Sequence, residues 1–168
     1  MRTKAHSNSP GETFKTGQEL GKKLDGREII LLVGELGAGK TLLTKGIAAA
    51  LDIDPDEVVS PTFTIMNRYE GKFRLYHIDL YRLGEDINVS HGARQEKTPA
   101  ARSADKSSAH LPEIDDNIDE GVIVIEWAQF LPRQYFVLNN AIRVEMDVLS
   151  ENSRLISISW HRKSSSYV

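Results

Sequence analysis

The sequence predicts a single α/β domain over residues 1–168, built on a mixed sheet with a mainly parallel centre, antiparallel hairpins and flanking helices. The parallel centre is indicated by residues 28–33, an apolar run typical of a strand covered on both faces. A glycine-rich loop follows directly, and residues 43–51 then show helical spacing. Alternating apolar and polar residues at 141–148 and 156–160 predict an antiparallel pair at one edge of the sheet.

The composition narrows the class of protein. With 40% hydrophobic and 27% charged residues, the chain resembles an ordinary soluble globular protein, and its lack of cysteine fits the reducing cytoplasm, where we expect it. No apolar run approaches the roughly 20 residues of a membrane span, and the N-terminus lacks the apolar core of a signal peptide. Cysteine is absent, which excludes disulfides and thiolate metal sites. A net charge of −3 argues against a protein that binds nucleic acid directly through its overall electrostatic field. We therefore expect any association with nucleic acid to be made by a partner protein.

The first helix is predicted to begin at Ser9, the N-cap, and to end at Gly26, which suits a positive φ. Gly17 and Gly21 share its apolar face and permit close approach to a neighbour. The preceding residues, 1–8, are either frayed or a short edge strand. The helix is mainly structural, although its N-terminal surface could also contact an adenine base.

The loop after the first apolar run fits the pattern G-x-x-x-x-G-K-[ST], with Gly34, Gly39, Lys40 and Thr41 at the required spacing. Gly37 and Gly39 let the backbone curl, so that its N–H groups can approach phosphate oxygens. Lys40 suits the outer phosphates as a point charge, and the Thr41 hydroxyl suits Mg²⁺. The pattern therefore predicts a P-loop NTPase-like domain.

The strand, the loop and the helix occur in the required order, which weighs against the alternative of a glycine-rich turn with a surface lysine. A helix that begins near Lys40 would add its positive end to the same site. The residues expected to contact the nucleotide here are Glu35, Leu36, Gly37, Ala38, Gly39, Lys40, Thr41 and Leu42.

Residues 60–63 form a stiff connection, because Pro61 fixes its own φ and pushes Ser60 toward an extended conformation. In a P-loop domain a loop at this place can fold over the outer phosphate and the metal. Ser60 and Thr62 are therefore candidates for a nucleotide-sensing switch. The alternative is an ordinary turn that contains proline, and these four residues do not decide between the two.

Residues 63–69 and 72–78 have the composition of strands. Only Glu70 and Gly71 separate them, which predicts a tight hairpin.

His77, Asp79 and Tyr81 lie two residues apart, so an extended segment would turn them toward one face. Three polar groups beside a phosphate site suggest a role in holding a metal, a water or a substrate. Each also has a simpler interpretation: a hydrogen-bonded core histidine, a helix N-cap and a packing tyrosine, respectively.

Residues 84–120 form a polar insertion, too polar to bury much surface. Four basic residues at 94–106 are followed by five acidic residues at 113–120, so these two halves could pair with each other or contact a partner. A solvated loop is the favoured interpretation.

Residues 121–127 return to a buried-strand pattern that ends in Glu126 and Trp127. An acid at the carboxyl end of an apolar strand is typical of the Walker B element, which lies on the metal side of P-loop sites. Glu126 could hold Mg²⁺ or polarise the attacking water. The alternatives are a strand-end carboxylate that faces solvent and, for Trp127, a packing residue near the mouth of the site.

Four motifs occur in the order 34–41, 60–63, 76–83 and 126–127. Together they resemble the TsaE (YjeE) family, the small bacterial ATPase of tRNA threonylcarbamoyladenosine biosynthesis. The resemblance covers most of the chain outside residues 84–120, which are longer and more polar than the connection usual in the family.

By position, the resemblance implies that Lys40, Asp79 and Glu126 serve catalysis and that Thr41 and Glu126 hold the metal. The nucleotide contacts that it implies outside the loop are Ser60, Thr62 and Trp127. The resemblance also implies ATP and Mg²⁺ as cofactors. It implies that the protein docks on a TsaD–TsaB pair and contacts tRNA only indirectly, through that complex. ATP hydrolysis would then reset that assembly rather than make the modification.

Two other functions remain open. A P-loop small-molecule kinase would have a similar size, but its lid arginines could come only from Arg94 and Arg102 in the insertion. A nucleotide-gated binding module would bind ATP with little turnover. Phosphate that appears on a metabolite, and not as free phosphate, would favour the kinase. Nucleotide-dependent association without hydrolysis, even with partners present, would favour the binding module.

Overall fold

The computed structural model describes residues 1–82, 114, 116–117, 120–131, 133–138 and 140–161. Most of the predicted insertion at 84–120 lies outside the described residues, and so do Arg94 and Arg102. Within the described ranges, no helix combines the length and the apolarity that crossing a membrane requires.

The described residues form one sheet with helices against it. The strands are β1 (Arg2–Ser7), β2 (Ile29–Gly34), β3 (Met66–Tyr69), β4 (Leu75–Asp79), β5 (Val122–Glu126), β6 (Ala141–Val148) and β7 (Arg154–Trp160), and the α-helices are α1 (Pro10–Gly21) and α2 (Lys40–Ala50). Short 3₁₀ segments occupy Ala128–Phe130 and Arg133–Val137.

The sheet has seven strands within the described residues, in the order β1-β7-β6-β2-β5-β4-β3. The pairs of β6 with β2, β2 with β5, and β5 with β4 are parallel. The outer pairs are antiparallel. The predicted mixed sheet with a mainly parallel centre is therefore confirmed.

The central strand β2 is covered on both faces, as its apolar run predicts. Ile30 and Leu32 belong to the apolar cluster beneath α1 and α2. Ile29 and Leu31 belong to a second cluster, which includes residues of the 3₁₀ segments. Burial on both faces holds β2 in the centre of the sheet, and the glycine-rich loop begins at its carboxyl end.

Helix α1 begins as predicted. The Ser9 side chain accepts a hydrogen bond from the Glu12 N–H at 3.2 Å, and the Glu12 carboxylate accepts one from the Asn8 N–H at 2.7 Å. Residues before the helix form the edge strand β1, which decides between the two alternatives given above.

The predicted end of α1 at Gly26 is wrong, because the helix ends at Gly21. Gly26 has a φ of 102° but lies in the turn before β2. The Glu28 carboxylate accepts hydrogen bonds from three backbone N–H groups of this turn, at residues 25, 26 and 27. The turn therefore satisfies its own backbone and does not need to continue the helix.

The predicted two-residue hairpin is also wrong in its bounds. Strand β3 begins at Met66, because Ile65 adopts a φ of 69° and its N–H bonds to the Pro61 carbonyl at 2.7 Å. Residues 70–74 connect the two strands, and the Lys72 N–H donates to the Leu51 carbonyl at 2.7 Å. The connection thus packs against the end of α2 instead of closing tightly.

The C-terminal pair β6–β7 is antiparallel as predicted, but it does not lie at the edge. β1 adds to β7 on the outer side, and β6 pairs with β2 in parallel on the inner side. The alternation of apolar and polar residues in β6 and β7 indicates that one face of each strand is buried. It does not indicate how many strands pair with each of them.

Glycines let α1 and α2 pack with their backbones close together. A Cβ on Gly17 would lie 2.2 Å from the Leu43 carbonyl oxygen, and one on Gly46 would lie 2.1 Å from the Phe14 carbonyl oxygen. The predicted close approach at Gly17 is confirmed. This contact presses α2, which carries the loop lysine, against the rest of the domain.

We expect Gly17→Ala to lower the free energy of unfolding by about 1–3 kcal/mol, because the added methyl group forces the helices apart. Gly11→Ala is the matched control, since the nearest atom to its added Cβ is 3.9 Å away. Urea unfolding followed by circular dichroism measures both. Equal stability of the two variants would contradict the close packing.

Candidate functional site

The candidate site is a cleft of about 480 Å³ at the carboxyl ends of β2, β4 and β5, beside the N-terminus of α2. Ligands of open α/β sheets collect at this edge. The residues that line the cleft are Leu36, Gly37, Gly39, Lys40, Thr41, Leu42, Ser60, Thr62, Asp79, Tyr81, Glu126 and Trp127.

The loop that borders the cleft depends on its glycines. Gly37 and Gly39 have φ values of 76° and 98°, which side chains disfavour. A Cβ on Gly34 would lie 2.8 Å from the Met146 carbonyl oxygen. Ala38 is buried in the core and is not among the residues that line the cleft. The first N–H groups of α2 lack partners inside the helix and carry its positive end, which favours an anion.

Lys40 is 5% exposed and is held by its own loop. Its Nζ donates to the carbonyl of Gly34 at 3.0 Å and to that of Glu35 at 2.8 Å. The same atom lies 3.7 Å from the centre of the Trp127 ring. Burial lowers the pKa of the Lys40 ammonium, and the nearby carboxylates, with Glu126 the strongest, offset part of that effect.

Glu126 lies at the end of β5 and is 2% exposed. Its Oε2 accepts a hydrogen bond from the Thr41 hydroxyl at 3.1 Å. Its Oε1 lies 2.8 Å from Nε2 of His77, which is fully buried in β4. Solvation by water is thus replaced on both carboxylate oxygens by fixed partners, which holds the side chain in one orientation.

Asp79 is a second buried acid and joins the candidate switch to the cleft. Its Oδ2 accepts hydrogen bonds from the hydroxyls of Ser60 at 2.5 Å and Thr62 at 2.8 Å. Its Oδ1 accepts from the Tyr81 N–H at 2.8 Å, where the chain turns helical, as a capping residue does. Asp79 therefore caps the turn that follows β4, as the simpler interpretation predicts, and its side chain also lines the cleft.

Trp127 lines the cleft beside Lys40. It has a φ of 58°, and its ring centre lies 5.0 Å from that of Tyr81 and 6.1 Å from that of Phe130. The left-handed backbone turns the indole back from the strand end toward Lys40. The ring therefore packs, as expected of a tryptophan, and also borders the site.

The oxygen donors of the cleft fit a magnesium ion. The Thr41 hydroxyl and the carboxylates of Glu126 and Asp79 are hard oxygen ligands of the kind that Mg²⁺ prefers. Within the described residues, no group of three or more His, Cys, Asp or Glu side chains forms a complete metal cage. Mg²⁺ usually keeps several waters and takes phosphate oxygens as further ligands, so it needs few ligands from the protein.

The structure brings residues of four separate motifs into one cleft, whose lining does not include the predicted nucleotide contacts Glu35 and Ala38. His77 and Asp79 share one face of β4 as expected, but Tyr81 lies beyond the end of the strand, where the chain turns helical. The three side chains also have different partners: His77 contacts Glu126, Asp79 contacts the hydroxyls at residues 60 and 62, and Tyr81 packs on Trp127. The direct contact between His77 and Glu126 was missed by sequence reasoning, because 49 residues separate them along the chain.

A support of the loop was missed as well. Nη2 of Arg154, the first residue of β7, donates to the Gly37 carbonyl at 3.0 Å. Its Nη1 binds backbone carbonyls of the turn between β6 and β7. Sequence reasoning treated this region as scaffold, and a single arginine after a polar turn carries no signal for the contact.

The sheet, the loop and the cleft define a protein of the P-loop NTPase-like α/β class. A family model described as "Threonylcarbamoyl adenosine biosynthesis protein TsaE" matches residues 7–156. The chain therefore belongs to the TsaE family, which confirms the resemblance seen in its motifs.

Individual relatives agree with this assignment. The tRNA threonylcarbamoyladenosine biosynthesis protein TsaE of Aquifex aeolicus is 34% identical over 152 residues, covering 89% of this chain and 90% of that protein. The protein of the same name in Rickettsia felis is 30% identical over 164 residues, covering 96% and 82%. The crystal structure of YdiB from Bacillus subtilis matches with a TM-score of 0.66 at 23% identity, covering 96% of this chain and 86% of that one, and supports the fold.

We expect Arg154→Gln to speed amide hydrogen exchange at Ala38, whose N–H donates to the Glu35 carbonyl at 3.2 Å, by roughly threefold to tenfold, the worth of one exposed hydrogen bond. Amides of β2 should not change. Arg68→Gln is the control, because Arg68 makes an exposed ion pair on β3, away from the loop. If Arg154→Gln leaves loop exchange as slow as the control does, the arginine does not support the loop.

Proposed function

We propose that this chain is an ATP-binding and ATP-hydrolysing subunit of tRNA threonylcarbamoyladenosine biosynthesis, acting in the cytoplasm as one domain over residues 1–168. The observation that carries the proposal is the meeting of Lys40, Thr41 and Glu126 in one cleft of a TsaE-family chain. Two relatives that match 89% and 96% of this chain are both named tRNA threonylcarbamoyladenosine biosynthesis protein TsaE.

ATP phosphates would lie against the loop, where backbone N–H groups and the positive end of α2 favour anions. Lys40 would exchange its two carbonyl contacts for the outer phosphates. For the adenine base of ATP we favour a second, smaller cleft of about 160 Å³ that also borders the loop. The lining of this cleft includes Ser9, Thr13, Leu42 and Arg154. It uses the N-terminal surface of α1, as the sequence allowed.

Thr41 and Glu126 would hold Mg²⁺, which supplies charge neutralisation at the phosphates when it is bound. Asp79 lies opposite Glu126 in the register of β4 and β5, so its carboxylate can support the metal's water shell. Ser60 and Thr62 would serve as the switch, since their hydroxyls can leave Asp79 for the γ-phosphate side of the cleft.

Hydrolysis would proceed by in-line attack of water on the γ-phosphate. Glu126 orients or polarises that water, and Lys40 stabilises the charge on the phosphoryl oxygens. Trp127 limits access of bulk water to the lysine, which it covers at 3.7 Å. Most of the rate gain comes from positioning and preorganised charge, because phosphoryl transfer requires little covalent chemistry from the protein.

A TsaD–TsaB pair is the proposed partner, and tRNA would be contacted through that pair. The net charge of −3 fits indirect contact, since direct grip on the phosphate backbone favours a basic surface. Nucleotide turnover would then reset the assembly.

We expect Lys40→Ala to reduce hydrolysis about 10²- to 10³-fold or more, since it removes the cation that meets the developing charge. Glu126→Ala should lower the rate by a similar factor, while ATP affinity changes by less than about threefold. Phosphate release and binding of a fluorescent ATP analogue measure the two effects. Lys45→Ala, on the same helix but outside the cleft, is the control. Full activity in both site variants would refute the site.

Addition of a purified TsaD–TsaB pair should raise the hydrolysis rate at least about tenfold, since groups supplied in trans contribute roughly 10³–10⁵ in other P-loop enzymes. The chain should co-elute with the pair in the presence of nucleotide. Co-elution without any turnover would favour the nucleotide-gated binding module instead. The absence of both stimulation and co-elution would count against the partner proposal.

A further inference from the structure

The His77 imidazole lies beneath the cleft and contacts the buried acid from below. Its Nε2 is 2.8 Å from Oε1 of Glu126, and the two side chains are 0% and 3% exposed. The register of β4 and β5 places Asp79 opposite Glu126. His77, two residues before Asp79, therefore faces the same side of the sheet as both acids.

The chemistry of the pair sets the direction of the hydrogen bond. An ionised carboxylate only accepts, so Nε2 must carry the hydrogen and donate it to Oε1. The other ring nitrogen, Nδ1, is buried and has no hydrogen-bond partner within the described residues. The contact to Glu126 is thus the hydrogen bond that fixes this ring in the described part of the chain.

We propose that His77 is a positioning residue for Glu126. Its Nε2–H holds Oε1, which leaves Oε2 directed at the Thr41 hydroxyl, 3.1 Å away, where the metal and its water would be held. Without this bond the carboxylate can rotate and its Oε1 loses its partner in a buried place. The inference rests on the proposed function of the cleft and adds a residue that does not touch the nucleotide.

A purely structural histidine and a positioning histidine differ in what their loss changes. Loss of a structural histidine lowers stability and leaves the magnesium dependence of the remaining folded protein unaltered. Loss of a positioning histidine changes magnesium dependence and turnover, and it leaves metal-free nucleotide binding intact. Groups behind metal ligands typically contribute 10- to 100-fold to metal affinity or activity.

Two amide variants form a matched pair. The side-chain nitrogen of His77→Gln reaches the place of the ring Nε2, whereas that of His77→Asn reaches only the place of Nδ1. With the full chain, binding of a fluorescent ADP analogue is titrated with Mg²⁺, and kcat and KM for ATP are measured with the TsaD–TsaB pair.

We expect His77→Asn to raise the Mg²⁺ concentration for half-maximal effect and to lower kcat, each by about 10- to 100-fold. KM and ADP binding without Mg²⁺ should change less than about threefold. His77→Gln should recover most of the loss. Wild-type behaviour of His77→Asn, or equal impairment of two folded variants, would overturn the inference.

A measurement on the wild type keeps the test independent of variant folding. In ¹⁵N spectra of histidine-labelled protein, His77 should carry its hydrogen on Nε2, and adding Mg²⁺ to the ADP complex should shift that resonance. A hydrogen on Nδ1 alone, or no response to Mg²⁺, would overturn the role. If the wild type fails to hydrolyse ATP even with the pair, the proposed function fails, and the Mg²⁺ titration of ADP binding still tests His77.

Discussion

The register of the central parallel strands is the constraint on which the site depends. Glu126 lies opposite Asp79 on one side and opposite Leu32 on the other, so both acids emerge where β2 runs into the loop. Side-chain alternation then turns both carboxylates toward the face covered by α2, whose first turn carries Thr41. A slip of one residue in either pairing would turn Glu126 into the apolar cluster on the opposite face.

Burial of these groups is tolerated because each has fixed partners. Asp79 and Glu126 are 4% and 2% exposed, and an unpaired carboxylate so deeply buried would be strongly destabilising. The hydroxyls of Ser60, Thr62 and Thr41 and the imidazole of His77 replace the water that burial removes. The same partners preorganise the acids, so the polar network both permits burial and shapes the site.

The scaffold holds the phosphate loop from several sides. Gly34 packs on the backbone of β6, Arg154 binds the carbonyl of Gly37, and the glycine contact between α1 and α2 fixes the helix that follows the loop. The sequence suggested only a structural role for β6 and β7, but both strands contact the loop directly. The match to the TsaE family model, over residues 7–156, includes the loop, β6 and Arg154.

The sequence by itself determined the elements whose signals are local: the buried strand, the loop from Gly34, the helix that follows it, the cap at Ser9, and an acid at the end of β5. These follow from spacing and from the conformational limits of single residues, which neighbours along the chain decide. Only the tertiary structure decided the edges of the sheet, the ends of α1 and β3, and the pairing of polar groups. Contacts between His77 and Glu126, between Thr41 and Glu126, and between Arg154 and Gly37 join residues 49, 85 and 117 positions apart. Such pairs depend on which strands become neighbours and in what register, and this is a property of the whole packed sheet.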